Sequence, residues 1–86
     1  MRKLIVGESL KKELKSYETQ IQQRYERLIE SILKDPFYGI GKPERLKHFN
    51  SLNIWSRRVD KKNRLIYKVT DTTIEIISIL DYHKQH

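Results

Sequence analysis

The chain contains no cysteine, only three glycines and two prolines, and a single tryptophan. Without thiols there is no disulfide framework, no thiolate nucleophile and no cysteine-ligated zinc site, so its order must come from an ordinary packed core. Long apolar runs are missing too. Leu4-Ile5-Val6 gives way at once to Gly7-Glu8-Ser9, which is not the apolar stretch of a signal peptide, and nothing approaches the length of a transmembrane helix. The expected location is the cytoplasm, with no membrane partner. Four of the five glycines and prolines fall between residues 36 and 43, a density of breakers that predicts an ordered loop over 35–53 rather than a regular element. There is no internal repeat, low-complexity segment or linker.

What is present is enough for one domain spanning 1–86. A chain of this size buries only about 60% of its unfolded surface and cannot build two cores. Its apolar residues, 37% of the total, are grouped in periodic stretches, which argues against disorder despite 34% charged residues. Leu10, Leu14, Tyr17, Ile21, Tyr25, Leu28 and Ile32 recur at steps of three and four, the pattern of amphipathic helix lying on a core. Tyr17 and Tyr25 read as core packing. Thr19 followed by Gln22 matches a capping box and divides the stripe into two helices, the second running from Thr19 to Lys34 and stopped by Asp35-Pro36.

Residues 3–6 read as a short strand, and three further strands are predicted at Ile54 to Asp60, Arg64 to Thr70 and Thr73 to Leu80. The short connections Asp60-Lys61-Lys62-Asn63 and Thr70-Asp71-Thr72 imply an antiparallel meander. The fold class is therefore α+β, with two N-terminal helices packed on a twisted antiparallel sheet. Strand alternation puts Leu65, Tyr67 and Val69 on one face and Arg64, Ile66 and Lys68 on the other. Continued along the last strand, it groups Ile77, Ile79, Asp81 and His83.

Charge is concentrated in one region. The total is +7, and residues 42–68 carry all of it, with nine cations against Glu44 and Asp60. A localised cationic surface captures polyanions, so nucleic acid is the first partner to consider, although basic surfaces also serve solubility alone. The cations are interleaved with His48, Trp55 and Tyr67, rings able to stack on bases. His48 serves equally well as a loop histidine bonded to backbone. A carboxylate within Lys42-Pro43-Glu44-Arg45-Leu46-Lys47-His48 is poorly suited to gripping phosphate, which points to another task for Glu44.

Cleaving RNA with its own 2′-hydroxyl as nucleophile requires a base, an acid and a cation facing the phosphorane, and Glu, His and Arg suit those roles. Glu44, His83 and Arg64 supply one of each, a set that also arises by chance in small basic proteins. His83 and His86 do not amount to a metal site, since no further ligand lies near them in sequence.

The blocks Gly41-Lys42-Pro43-Glu44-Arg45-Leu46-Lys47-His48, Trp55-Ser56-Arg57-Arg58, Asn63-Arg64-Leu65-Ile66-Tyr67 and Tyr82-His83 occur in order. With them the chain resembles the YoeB (Txe) family of toxins within the RelE superfamily, essentially end to end. The resemblance implies a RelE-like fold and the toxin of a type II toxin–antitoxin pair, a ribosome-dependent endoribonuclease that cuts mRNA in the ribosomal A site. It implies Glu44 as general base, His83 as general acid and Arg64 as the cation at the transition-state phosphate. Lys47, Arg58 and Arg57, with His48 and Lys84, are then expected to contact RNA. No cofactor is implied. The implied partners are the ribosome and its mRNA, a cognate antitoxin of the YefM/Phd kind and a second copy of the chain in a homodimer. The chain departs from the family's usual Tyr-His-Tyr ending, reading Tyr82-His83-Lys84. Lys84 cannot stack as a tyrosine does, yet it carries a positive charge toward phosphate. Two alternatives remain: a non-catalytic module that docks on RNA, and a degenerate toxin kept as antitoxin partner.

Overall fold

The computed structural model describes residues 2–47 and 52–81. The chain runs β1 (Lys3–Val6), α1 (Glu8–Lys15), α2 (Thr19–Lys34), β2 (Glu44–Arg45), β3 (Ile54–Arg58), β4 (Asn63–Val69) and β5 (Thr73–Asp81). All five strands form one sheet in the order β1-β5-β4-β3-β2. The meander β3-β4-β5 is antiparallel, as the turn spacing predicts. The sheet as a whole is mixed, because β1 lies parallel to β5, with Leu4 opposite Ile74 and Val6 opposite Ile76. The expected loop also contributes an edge strand: Glu44 and Arg45 pair with Ser56 and Trp55.

One continuous core lies between the helices and one face of this sheet. Leu10, Ile21, Leu28 and Ile32 meet Leu65, Tyr67, Val69, Ile74, Ile76 and Ile79, with Tyr17 and Tyr25 packed partly buried against them. Fully burying one such aliphatic side chain contributes roughly 1.5–3 kcal/mol, so this seam is the main source of stability. Among the described residues no helix is long and apolar enough to cross a membrane.

Two local readings need correction. The boundaries of α2 fall where predicted, but the capping box does not form. Glu18 is the N-cap without a side-chain cap bond, and Gln22 reaches back to the carbonyl of Tyr17 at 2.8 Å. The alternation of β5 is also interrupted. Ile66 faces Ser78 while Tyr67 faces Ile76, which leaves Ile77 as the extra residue of a β-bulge. Ile74, Ile76 and Ile79 are therefore buried and Ile77 is exposed, so Ile77 and Ile79 do not share a face as simple alternation would have it.

Candidate nucleic-acid interface and active site

Directly opposed residues on neighbouring strands point to the same side of a sheet. Since Leu65, Tyr67 and Val69 face the helices, the register puts Ile54, Ser56 and Arg58 of β3, and Arg64, Ile66 and Lys68 of β4, on the side away from the helices, where Ile54 and Ser56 are buried and Arg58 is exposed. Glu44 stands opposite Ser56 and joins them. Arg58 lies diagonally across from Glu44, roughly 7–8 Å away between Cα atoms, and directly opposite Arg64 at about 4.5–5.5 Å. The fold thus brings Glu44, Arg58 and Arg64 together on one open face, with Lys47 exposed just beyond β2. His48, His83 and Lys84 lie outside the described residues.

The protonatable and charged groups on this face are presented in different ways. Glu44 is exposed, and its carboxylate has no hydrogen-bond or ion-pair partner among the described residues, so it remains open to a substrate hydroxyl. Arg64 is half-buried, and its Nη1 donates to the carbonyl oxygens of Asp60 at 3.2 Å and Asn63 at 3.4 Å, which holds the guanidinium near the β3-β4 turn. That turn is built by Asp60. Its carboxylate accepts from the amides of Lys62 (2.8 Å) and Asn63 (2.7 Å). Partial burial works against ionisation of Asp60, but those donated hydrogen bonds, helped by the charge of Arg24, outweigh it and hold the carboxyl below its ordinary range. Placing Arg58 and Arg64 directly opposite each other is unfavourable in an isolated sheet, and a bound polyanion would relieve it.

Arg57 is not part of this face, which corrects its expected contact with RNA. It is fully buried on the helix side, and all five of its N–H donors are taken. Nε donates to Tyr67 Oη at 3.1 Å, Nη1 to Ser31 Oγ at 2.7 Å and the Ile40 carbonyl at 3.1 Å, and Nη2 to the carbonyls of Asp35 at 2.7 Å and Tyr38 at 3.1 Å. A guanidinium so satisfied cannot grip phosphate. What it does is lock the 35–40 loop. Tyr67 Oη adds a bond to the Pro36 carbonyl at 2.7 Å, and the Arg58 amide donates to the Gly41 carbonyl at 2.6 Å. The chain leaves this anchored loop through Gly41 (φ 83°) and Lys42 (φ 50°), left-handed conformations that turn it into β2 and so deliver Glu44.

Tyr67 is likewise not available to stack on bases, and Trp55 is only partly exposed. Tyr67 is buried. Trp55 packs against Phe37 with ring centroids 5.1 Å apart and donates from Nε1 to Asn53 Oδ1. A sequence signal for both corrections existed: Trp55, Arg57 and Val59 alternate along one strand face, and a face that carries Trp and Val is the core face.

Two helices on one side of a mixed five-stranded sheet are the architecture of the RelE-like fold. RelE in an archaeal RelE–RelB complex from Pyrococcus horikoshii OT3 shares the fold at TM-score 0.79, with 18% identity over 93% of each chain. The family described as YoeB-like toxin of bacterial type II toxin-antitoxin system matches residues 10–84, and the chain belongs to that family. Toxin YoeB of Streptomyces coelicolor is 48% identical over 58 residues, 67% of this chain and 68% of that one. Toxin YoeB of Escherichia coli K12 is 42% identical over 64 residues, 74% of each. Two Staphylococcus aureus structures are similar as well. A YoeB dimer has TM-score 0.76 and 30% identity over 95% of this chain and 97% of that one. A YoeB–YefM complex has TM-score 0.75 and 27% identity over 93% and 95%.

Proposed function

We propose that this toxin is a ribosome-dependent endoribonuclease that cleaves mRNA in the ribosomal A site. The observation that carries the reading is the convergence of Glu44, Arg58 and Arg64 on the open face of the sheet, with Glu44 exposed and free of partners among the described residues. In the reaction the Glu44 carboxylate takes the proton of the 2′-hydroxyl, whose oxygen attacks the adjacent phosphorus. The bond to the 5′-oxygen of the next nucleotide breaks, and His83 gives that oxygen its proton. The products carry a 2′,3′-cyclic phosphate and a 5′-hydroxyl. Arg64 stabilises the charge that builds on the phosphorane, and such preorganised donors are worth about 10²–10³ in rate. Arg58 and Lys47, with His48 and Lys84, hold neighbouring RNA. The nucleophile belongs to the substrate, so base, acid and cation account for the whole step.

The partners follow from the same reading. The YefM bound to the Staphylococcus aureus relative supports a cognate antitoxin of that kind for this chain, and the YoeB dimer from the same organism supports a homodimer. An acidic antitoxin segment laid over the cationic face would exclude RNA. The site of action is the cytoplasm, where ribosomes and mRNA meet.

The test is primer extension on a defined mRNA, with and without programmed ribosomes, using the parent chain, Glu44→Gln and His83→Ala. Cuts that need ribosomes and vanish in both variants, while co-sedimentation with ribosomes persists, are the expected result. Ribosome binding by the parent without any cut would replace the enzyme reading with a non-catalytic docking module. A Lys84→Tyr variant that cuts no faster than the parent would show that the family's terminal aromatic is dispensable in this chain.

A further inference from the structure

A second cluster of arginines lies around the end of β3, away from Glu44. Arg24 and Arg27, exposed on α2, and Arg58 surround a cavity of about 110 Å³ whose floor is Leu28, Ile40 and Val59. That volume is several times the roughly 10–15 Å³ a single water requires. Arg24 and Arg27 are three residues apart, hence neighbours on one helix face, and like charges so placed destabilise an isolated helix. Glu30 stands three residues beyond Arg27 on the same helix but forms no ion pair with it. Among the described residues no carboxylate lies within ion-pairing distance of these three arginines, and their side chains make no hydrogen bond there. Asp60, whose charge acts on Arg24, already has its oxygens engaged by Lys62 and Asn63. The influence of Arg24 on Asp60 acts only through space. The fold therefore brings three arginines to the lining of one opening, and none of them forms an ion pair among the described residues.

We propose that this cavity is a second RNA phosphate subsite, which receives the backbone of the strand a few nucleotides from the cut. The RNA identity of the anion rests on the endoribonuclease reading, and the position rests on Arg58. This residue is common to both places, standing opposite Arg64 on the open face and lining the cavity where β3 ends. A strand held at Arg64 and Arg58 and continuing past the sheet edge meets Arg24 and Arg27 next. Guanidinium forks suit phosphate oxygens, and the apolar floor accepts a ribose or the flat of a base.

The test separates this subsite from the catalytic reading by measuring binding without cutting. The probe is a 2′-O-methyl RNA octamer, which has the phosphates but lacks the nucleophilic hydroxyl, alongside a trimer of the same chemistry. Titrations by fluorescence anisotropy between 50 and 200 mM salt should find Arg24→Gln/Arg27→Gln about tenfold weaker for the octamer. The slope of log K against log salt should fall by about 0.7–1.4, the release expected from one or two phosphates of a single strand. The trimer, confined to the open face, should bind both proteins alike. A Lys12→Gln/Lys15→Gln chain, which loses the same charge from α1, should match the parent on both probes. Unchanged octamer binding overturns the proposal, as does equal weakening of the trimer or in the α1 control. Loss of antitoxin affinity with octamer binding intact would assign the cavity to an acidic protein segment instead. If ribosomal cleavage survives Glu44→Gln while the octamer result holds, the catalytic assignment fails and the subsite stands.

Discussion

Arg57 and Arg58 are adjacent on β3 and carry the same charge, yet they belong to opposite halves of the molecule. Arg57 turns toward the helices, where five neutral acceptors surround it and no carboxylate among the described residues pairs with it. Arg58 turns to the open side, exposed and facing Arg64. On the covered face a cation persists only because every donor is bonded, since a buried charge without partners costs several kcal/mol. On the open face the charges are set against one another, at a cost that a bound anion offsets. The two faces thus do different work: the covered one fixes the loop that carries Glu44, and the open one is the face proposed to receive RNA.

The largest effect is expected from breaking the covered side. Arg57→Ala removes all five bonds and leaves Ser31 Oγ, Tyr67 Oη and three loop carbonyls in want of donors. The expected loss is about 3–5 kcal/mol in urea unfolding, with cleavage falling because Glu44 is no longer held. Arg57→Lys, which keeps the charge but has three donors in place of a five-donor fork, should recover only part of this. A lysine variant as stable as the parent would mean that charge, not the fork, is what the loop requires.

Gly39→Ala attacks the same anchor from the other side. Gly39 sits at φ 134°, where L side chains are strained, and an added Cβ would stand 2.9 Å from Arg57 Nη1 and collide with Ser31 Oγ. The hydrogen bond between those two groups is the one displaced. A cost of about 1–3 kcal/mol is expected, again read by urea unfolding.

How far these two faces could be read from sequence differs element by element. The helix stripe and the alternation of β4 gave the covered face directly, because burial imposes periods of 3.6 and 2 on the apolar residues. The parallel place of β1 could not be read, since four residues carry no signal of their partner's direction. Glu44–Arg45 as an edge strand is too short for any period, and it exists because its backbone pairs with β3. Ile74, Ile76, Ile77, Ile79 and Leu80 are all apolar, so nothing marks where the bulge resets the phase. Arg57 looks like any surface arginine until it is set in step with Trp55 and Val59. Glu44 and Arg64 stood out in the sequence by their residue types and motif blocks, but that they share a face emerges only from the register.

Tyr67→Phe is a milder probe of the covered side. It deletes the bond to the Pro36 carbonyl and the acceptor for Arg57 Nε, for an expected loss of about 1–2 kcal/mol. It also changes the pH profile. Burial pushes the Tyr67 phenol above its ordinary 10.0, and the nearby Asp35 charge adds to this, against the opposing influence of Arg57. A folded-state value above the unfolded one means that the stability held by the neutral phenol is complete below pH 10. It is lost as pH rises through the folded value. Tyr67→Phe should therefore unfold less steeply with pH above 10 than the parent, and the residual slope should come from Tyr25 and Tyr17, which burial also raises.

The smallest change in stability should come from the residue next to Arg57. Arg58→Ala removes an exposed side chain that makes no hydrogen bond among the described residues, and it relieves the repulsion with Arg64. Unfolding free energy should stay within about 0.5 kcal/mol of the parent, with any shift toward greater stability. Cleavage and RNA affinity should nevertheless fall, with the salt slope reduced by about 0.7, the value for one phosphate contact. The pair of adjacent substitutions then divides the two faces: Arg57→Ala destabilises the fold, and Arg58→Ala weakens only what the fold presents. If Arg58→Ala proved as destabilising as Arg57→Ala, the open face would itself be structural, and the division drawn between them would not hold.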